Sequence, residues 1–205
     1  MVIIQSKKEE VKKQIEAAAL KVFFNKGFLN AKMSDIAEEI QISVGNIYTY
    51  FKNKNDLFYS VVPPSLVDYL QKVLVESIHF DNQTLFDEAR TEKRTDIFQK
   101  QINLLTQYHQ QIVIIFEKNQ GTEYSNAKNE LIDLMMETKM PYVKSTYKRY
   151  EINSEDNFIL LNILANSFVN MILDLLKREM SIESRQQIFE VLSIYRLHGL
   201  KSLNE

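Results

Sequence analysis

Four glycines and three prolines are all that punctuate this 205-residue chain, and that scarcity is the strongest constraint on its fold. Sandwiches and barrels require a turn signal every roughly 8–12 residues, and so few breakers cannot supply them. What remains is an all-α architecture of long helices with few breaks. With 45% hydrophobic and 25% charged residues, the chain has enough apolar surface for a real core and falls among globular proteins. Its length suits one large domain or two small ones.

Several function classes are disfavoured early. There is no cysteine, which removes disulfides, thiolate nucleophiles and zinc knuckles. His79, His109 and His198 lie far apart without ligand spacing, so neither a metal nor a cofactor is expected. The opening MVIIQSKKEEVKK has only a brief apolar run before its charges and reads as no export signal. The greasiest stretch, Phe158 to Leu176, is interrupted by Asn162, Asn166, Asn170 and Asp174, which argues against a membrane span. A cytoplasmic protein without a membrane partner is expected. The net charge of −2 favours no partner globally. Lysines 7, 8, 12, 13, 21, 26, 32, 52 and 54 nonetheless make the N-terminal part slightly basic against an acidic remainder.

Along the chain, Val11, Ile15, Ala18, Ala19, Val22 and Phe23 recur at steps of three and four and predict a helix over Lys7–Lys26, stopped by Gly27. Ile36, Ala37 and Ile40 mark a short second helix. Val44, Ile47 and Phe51 mark a third over Ser43–Phe51, with Ser43 as its N-cap. Asn53 to Asp56 open a further helix through Leu57, Phe58 and Val61. Pro63 and Pro64 break it, and Pro64 suits the first position of a restarted helix through Ile78. Helices are then expected over roughly Thr84–Arg90, Thr95–Lys118, Glu123–Tyr150 with a kink or division at Pro141, Ser154–Arg178 and Ile182–His198. The breaks fall at Gln120-Gly121-Thr122 and Ile152-Asn153.

Two short helices separated by only Gln41 and Ile42 must cross steeply, as in a helix-turn-helix. That geometry frees one face of the second helix to enter a major groove about 12 Å wide. The face would show Ser43, Gly45, Asn46 and Thr49, small or polar groups suited to base edges. Tyr48 and Tyr50 offer hydroxyls to phosphate oxygens, and Lys52 and Lys54 offer charge. The plainer alternative has the tyrosine rings packing on the first helix and the lysines simply solvated.

The segment MSDIAEEIQISVGNIYTYFKNKNDLF resembles the DNA-binding signature of the TetR family of bacterial repressors. Asp35, Ile36, Ala37, Ser43, Gly45, Tyr48, Tyr50, Phe51, Lys54 and Leu57 occupy the family's positions, over about the first quarter of the chain. The resemblance implies an N-terminal three-helix DNA-binding domain (1–54) and a C-terminal helical ligand-binding and dimerisation domain (55–205). It implies that Tyr48 and Lys54 contact phosphate and that Val44, Gly45, Asn46 and Thr49 lie near bases. The chain departs from the family pattern twice: Gln41 stands where glycine is usual in the turn, and Asn30 must replace the usual threonine cap of the second helix.

The asparagines at 162, 166 and 170 form one stripe, either facing solvent or lining a ligand cavity together with Tyr108 and Phe116. Phe168, Met171, Ile172 and Leu175, with Ile188, Val191, Leu192 and Tyr195 of the last helix, would pair two copies in a four-helix interface, the usual dimer contact of the family. These readings imply a homodimeric, non-enzymatic repressor that binds a palindromic operator and answers to an unknown small-molecule effector. The rivals are a small all-helical enzyme, for which no nucleophile motif or phosphate loop is seen, and a helical interaction module that no longer binds DNA.

Overall fold

The computed structural model describes residues 2–84, 91–143 and 154–204. Among them the chain forms ten helices and no strand: α1 (Val2–Asn30), α2 (Met33–Glu39), α3 (Val44–Ile47), α4 (Lys54–Val61), α5 (Pro64–Thr84), α6 (Thr91–Gln107), α7 (His109–Glu117), α8 (Ala127–Val143), α9 (Ser154–Leu176) and α10 (Ile182–Asn204). The expected Thr84–Arg90 helix past Thr84, which ends α5, the part of the Glu123–Tyr150 helix beyond 143 and the break at 152–153 lie outside the described residues.

Contacts divide the chain into two compact units, Met1–Val67 with Gln110–Lys128, and Asp68–His109 with Asn129–Glu205. The first is wider than the expected 1–54, because its core needs the residues that follow. Phe23, Phe28 and Phe58 form an aromatic cluster, with Phe58 edge-on to Phe23 at 5.2 Å and to Phe28 at 4.9 Å. Ile15, Ala19, Ile36, Ile47, Leu57 and Val62 are fully buried in the same unit. Helix α7 adds Ile112 to Phe116, all buried, so it is a helix without a polar face. Gly27 stops the regular part of α1 at φ 74°, where a side chain would be strained. The next amide, Phe28 N–H, donates to Lys118 O at 2.9 Å.

In the second unit α9 and α10 pack together and α6 packs on α10. Ile102, Leu175 and Phe189 are buried at the centre, ringed by Phe98, Leu105, Ile172, Met180 and Leu192, and Phe98 stacks on Phe189 at 5.6 Å. Asp81 and Arg196 pair at 2.5 Å. Helix α9 is long and apolar enough over Glu155–Leu176 to cross a membrane, with a third of it buried.

Three expectations from the sequence change. The helix expected over Thr95–Lys118 is interrupted at Tyr108 and becomes α6 and α7. Thr106 turns its hydroxyl onto Ile102 O (2.9 Å) and Asn103 O (3.2 Å) just before the break, competing for carbonyls that the helix ladder uses. The helix expected over Ser43–Phe51 is only four residues long, and the chain continues through Phe51 in hydrogen-bonded turns. Finally, the helix expected from Glu123 starts at Ala127, and it includes Pro141 up to Val143, where the described residues end. Pro64 does open α5, one residue past the Val62–Pro63 break.

Candidate nucleic-acid interface

The turn between α2 and α3 is built from local hydrogen bonds. Gln41 N–H donates to Glu38 O (3.2 Å) and Ile42 N–H to Ala37 O (3.0 Å), the pair of bonds that ends a helix through one left-handed residue. That residue is Gln41, at φ 57°. Glycine takes this conformation without cost, whereas a residue with a Cβ accepts roughly 1–2 kcal/mol of strain. The departure from the family pattern therefore leaves the turn intact and places its strain at one position.

The capping of α2 differs from the expectation. Asn30 ends α1 and its amide donates to Lys26 O (3.3 Å), while the N-cap position of α2 is Lys32. Asp35 does the work of a cap by reaching back to Lys32 N–H at 3.0 Å. That amide, and Lys26 at 3.0 Å, hold the Asp35 carboxyl below its ordinary range. Together with the Lys21–Glu39 pair, the Lys26–Asp35 pair ties α2 to α1.

Ser43 starts α3, its Oγ accepting Asn46 N–H at 3.2 Å. From this cap the side chains divide cleanly. Ile47 and Phe51 are buried, while Ser43, Gly45, Asn46, Tyr48, Thr49 and Lys52 are exposed and Val44 and Tyr50 are half-buried. Tyr48 is 50% exposed. At Gly45 a Cβ would meet nothing nearer than Ser43 Oγ at 3.9 Å, and the backbone there is not left-handed. Neither the backbone conformation nor internal packing at position 45 requires glycine.

Two cations that the sequence did not single out for this surface are brought to it by α1. Lys8 lies 6.0 Å from the Tyr50 ring and Lys12 5.8 Å from the Phe51 ring. Only tertiary packing makes this visible, since nothing in the local pattern around Lys8 points to Tyr50. The Tyr50 ring thus takes the plainer role weighed above, packing beside the first helix, with its hydroxyl role left to proposal.

Lys54 is placed differently from Lys52. Its ammonium donates to Phe28 O (2.7 Å), Ala31 O (3.0 Å) and Leu29 O (3.5 Å) and lies 4.3 Å from the Phe28 ring. Burial lowers its pKa. All three N–H donors are taken by the C-terminal end of α1, where a cation is favoured by the unpaired carbonyls. In this structure Lys54 fastens α4 to α1 rather than standing out for a phosphate. Lys52 has its backbone anchored by Asp56 Oδ2 at 2.8 Å and its side chain in solvent.

The residues expected around a ligand fall in both units. Phe116 is buried in the first unit. Tyr108, Asn162, Asn166 and Asn170 belong to the second, where Asn166 Nδ2 donates to Asn162 O and Oδ1, both at 2.9 Å. Tyr108 and Asn162 are half-buried and Asn170 is exposed. Among the described residues no cluster of acidic residues and histidines is arranged for a metal.

The residues expected at a dimer contact split. Leu175, Ile172 and Leu192 are consumed by their own core, Phe168 lies under the Arg196 guanidinium at 4.9 Å, and Met171 is half-buried. Ile188, Val191 and Tyr195 are exposed, and so are Ile159 and Ile163 of α9.

These features define a class: a helix-turn-helix protein in which α3 packs on α2, and α2 and α4 pack on α1. Residues 15–61, about a quarter of the chain, match the family described as bacterial regulatory proteins, tetR family. It is 40% identical over 58 residues to an HTH-type transcriptional regulator of Staphylococcus aureus strain USA300, covering 28% of this chain and 31% of the relative. With a regulator of the bovine strain RF122/ET3-1 it shares 32% identity over 78 residues, 37% of this chain and 42% of the other. The match thus spans less than half the length of either relative. A TetR-like transcriptional regulator from Rhodococcus sp. RHA1 aligns over 91% of this chain and 95% of its own, at 16% identity and a TM-score of 0.48.

Proposed function

We propose that the protein is a cytoplasmic transcription repressor that binds a palindromic operator as a homodimer and releases it in response to a small molecule. The observation that carries this reading is the division of the stretch Ser43 to Phe51: Ser43, Gly45, Asn46 and Thr49 outward, Ile47 and Phe51 inward. Asn46 offers the paired donor and acceptor that suit adenine, and Thr49 and Val44 offer methyl groups that suit thymine. Tyr48 and Lys52 flank them for phosphate contact, with Lys8 and Lys12 adding charge from α1. Tyr50 is assigned a phosphate contact through its hydroxyl alone. Lys54 is assigned to the scaffold.

Two copies must place these helices about 34–36 Å apart to read successive major grooves. The exposed apolar side chains Ile159, Ile163, Ile188, Val191 and Tyr195 supply a surface for pairing, since a face this apolar is seldom left to water. An effector then acts only through a difference in its affinity for the DNA-competent and DNA-incompetent states.

The test is the salt dependence of binding to duplex DNA. Lys52→Ala is expected to reduce the slope of log K against log salt by about 1, the loss of one phosphate contact. Lys54→Met is expected to leave the slope unchanged and to lower the unfolding free energy by about 2 kcal/mol, the usual worth of a hydrogen bond to a charged group. Equal slope changes from both variants, measured by fluorescence anisotropy between low and physiological salt, would contradict this division of labour.

A further inference from the structure

A small cavity of about 70 Å³ lies inside the second unit. Its walls are apolar, from Met136, Leu161, Ala165 and Phe168, but three charged side chains, Lys139, Asp81 and Arg196, also line it. Arg196 is already paired with Asp81 at 2.5 Å, its guanidinium over the Phe168 ring. Lys139, from α8, feels Asp81 only at longer range, and the charged side chains that line the cavity, Lys139 and Arg196 against Asp81, sum to one positive charge. A cation in such a site is costly unless something compensates it. Burial first, and then Arg196, lower the Lys139 pKa to about 8, against the opposing pull of Asp81.

We propose that this cavity is a receptor site for a short aliphatic monocarboxylate, with its carboxylate on Lys139 and its alkyl part against Met136, Leu161 and Phe168. The charge left over by the Asp81–Arg196 pair matches a monoanion and not a phosphate dianion. At about 70 Å³ the cavity has about half the volume of a 150 Å³ cavity that accepts benzene, room for the carboxylate and the first carbon or two, and because it is partly open to solvent the rest of the alkyl chain lies at its mouth. As the effector site of the repressor, this assignment rests on the regulatory reading above; as a binding site, it is tested without DNA.

The probe is butyrate, titrated calorimetrically into the full-length protein beside n-butanol and n-butylamine. Butyrate is expected to bind at least tenfold tighter than butanol, and butylamine not at all. Lys139→Met, which keeps the bulk and removes the charge, is expected to abolish the preference for butyrate over butanol. Ala165→Leu, which fills the cavity, is expected to weaken both. The wild-type affinity for butyrate should fall as pH rises through about 8, by about tenfold per pH unit beyond it, because the free protein then loses the ammonium. If butyrate does not bind the folded wild type, or binds both variants as well as the wild type, the proposal is wrong. If butyrate binds through Lys139 but leaves operator affinity unchanged, the site stands and its role as effector site falls.

Discussion

Replacing Val191 by aspartate is expected to leave a folded monomer that holds operator DNA at least a hundredfold more weakly than the parent. Val191 is 64% exposed and Tyr195, one turn further along α10, is 67% exposed. A charge at such a position costs the isolated protomer little, within about 0.5 kcal/mol. In a pair of copies the same charge would be buried against apolar side chains without a partner, at a cost of several kcal/mol. Losing the dimer removes the second half-site from each binding event, and linked sites commonly gain 10²- to 10⁴-fold over single ones. Ile163→Asp, at the matching exposed position of α9, should behave in the same way. Sedimentation velocity reports the association and anisotropy the DNA affinity. A variant that remains dimeric and binds normally would place the pairing surface elsewhere.

The second large effect lies in the scaffold. Phe58→Ala is expected to lower stability by about 3–5 kcal/mol, the usual cost of emptying a buried aromatic site. Phe58 is fully buried and touches both Phe23 and Phe28 edge-on, so its removal also forfeits ring-pair energy beyond area burial. Because Phe28 sits under the Lys54 clamp, the change should loosen the joint that holds α4 on α1. Chemical denaturation followed by helical circular dichroism measures the loss. A cost under about 1 kcal/mol would mean that the site collapses around the void and that the cluster does not organise the unit.

What could be read in advance depended on whether the signal was local. The Gly27 stop, the Ser43 cap and Pro64 at a helix start each follow from the chemistry of one residue and its neighbours. So does the inward turn of Ile47 and Phe51, which share a helical face. Lys54 was not legible in the same way. Its partners are the carbonyls of Phe28 and Ala31, 26 and 23 positions away, and a lysine four residues beyond an exposed face looks the same whether it points outward or back. The apolar residues of α9 and α10 pose a related difficulty. Ile172 and Leu175 lie inside while Ile159 and Ile163 lie outside, yet all are aliphatic, and periodicity cannot tell the protomer's own core from a surface that awaits a partner. The break at Tyr108 carries no glycine or proline, so no local residue signal marks it. The surplus cation at Lys139 emerges only once α5 and α10 have brought Asp81 and Arg196 together.

The most direct measurement is the sequence preference of the reading helix itself, obtained by selecting bound duplexes from a random DNA pool with the parent protein and with Asn46→Ala. The parent should enrich a palindrome, and the variant should lose discrimination at the same one or two positions in each half-site, at about 1–3 kcal/mol per position. If the two proteins enrich the same sequence equally, or neither enriches any, then the outward face of Val44 to Thr49 does not read DNA.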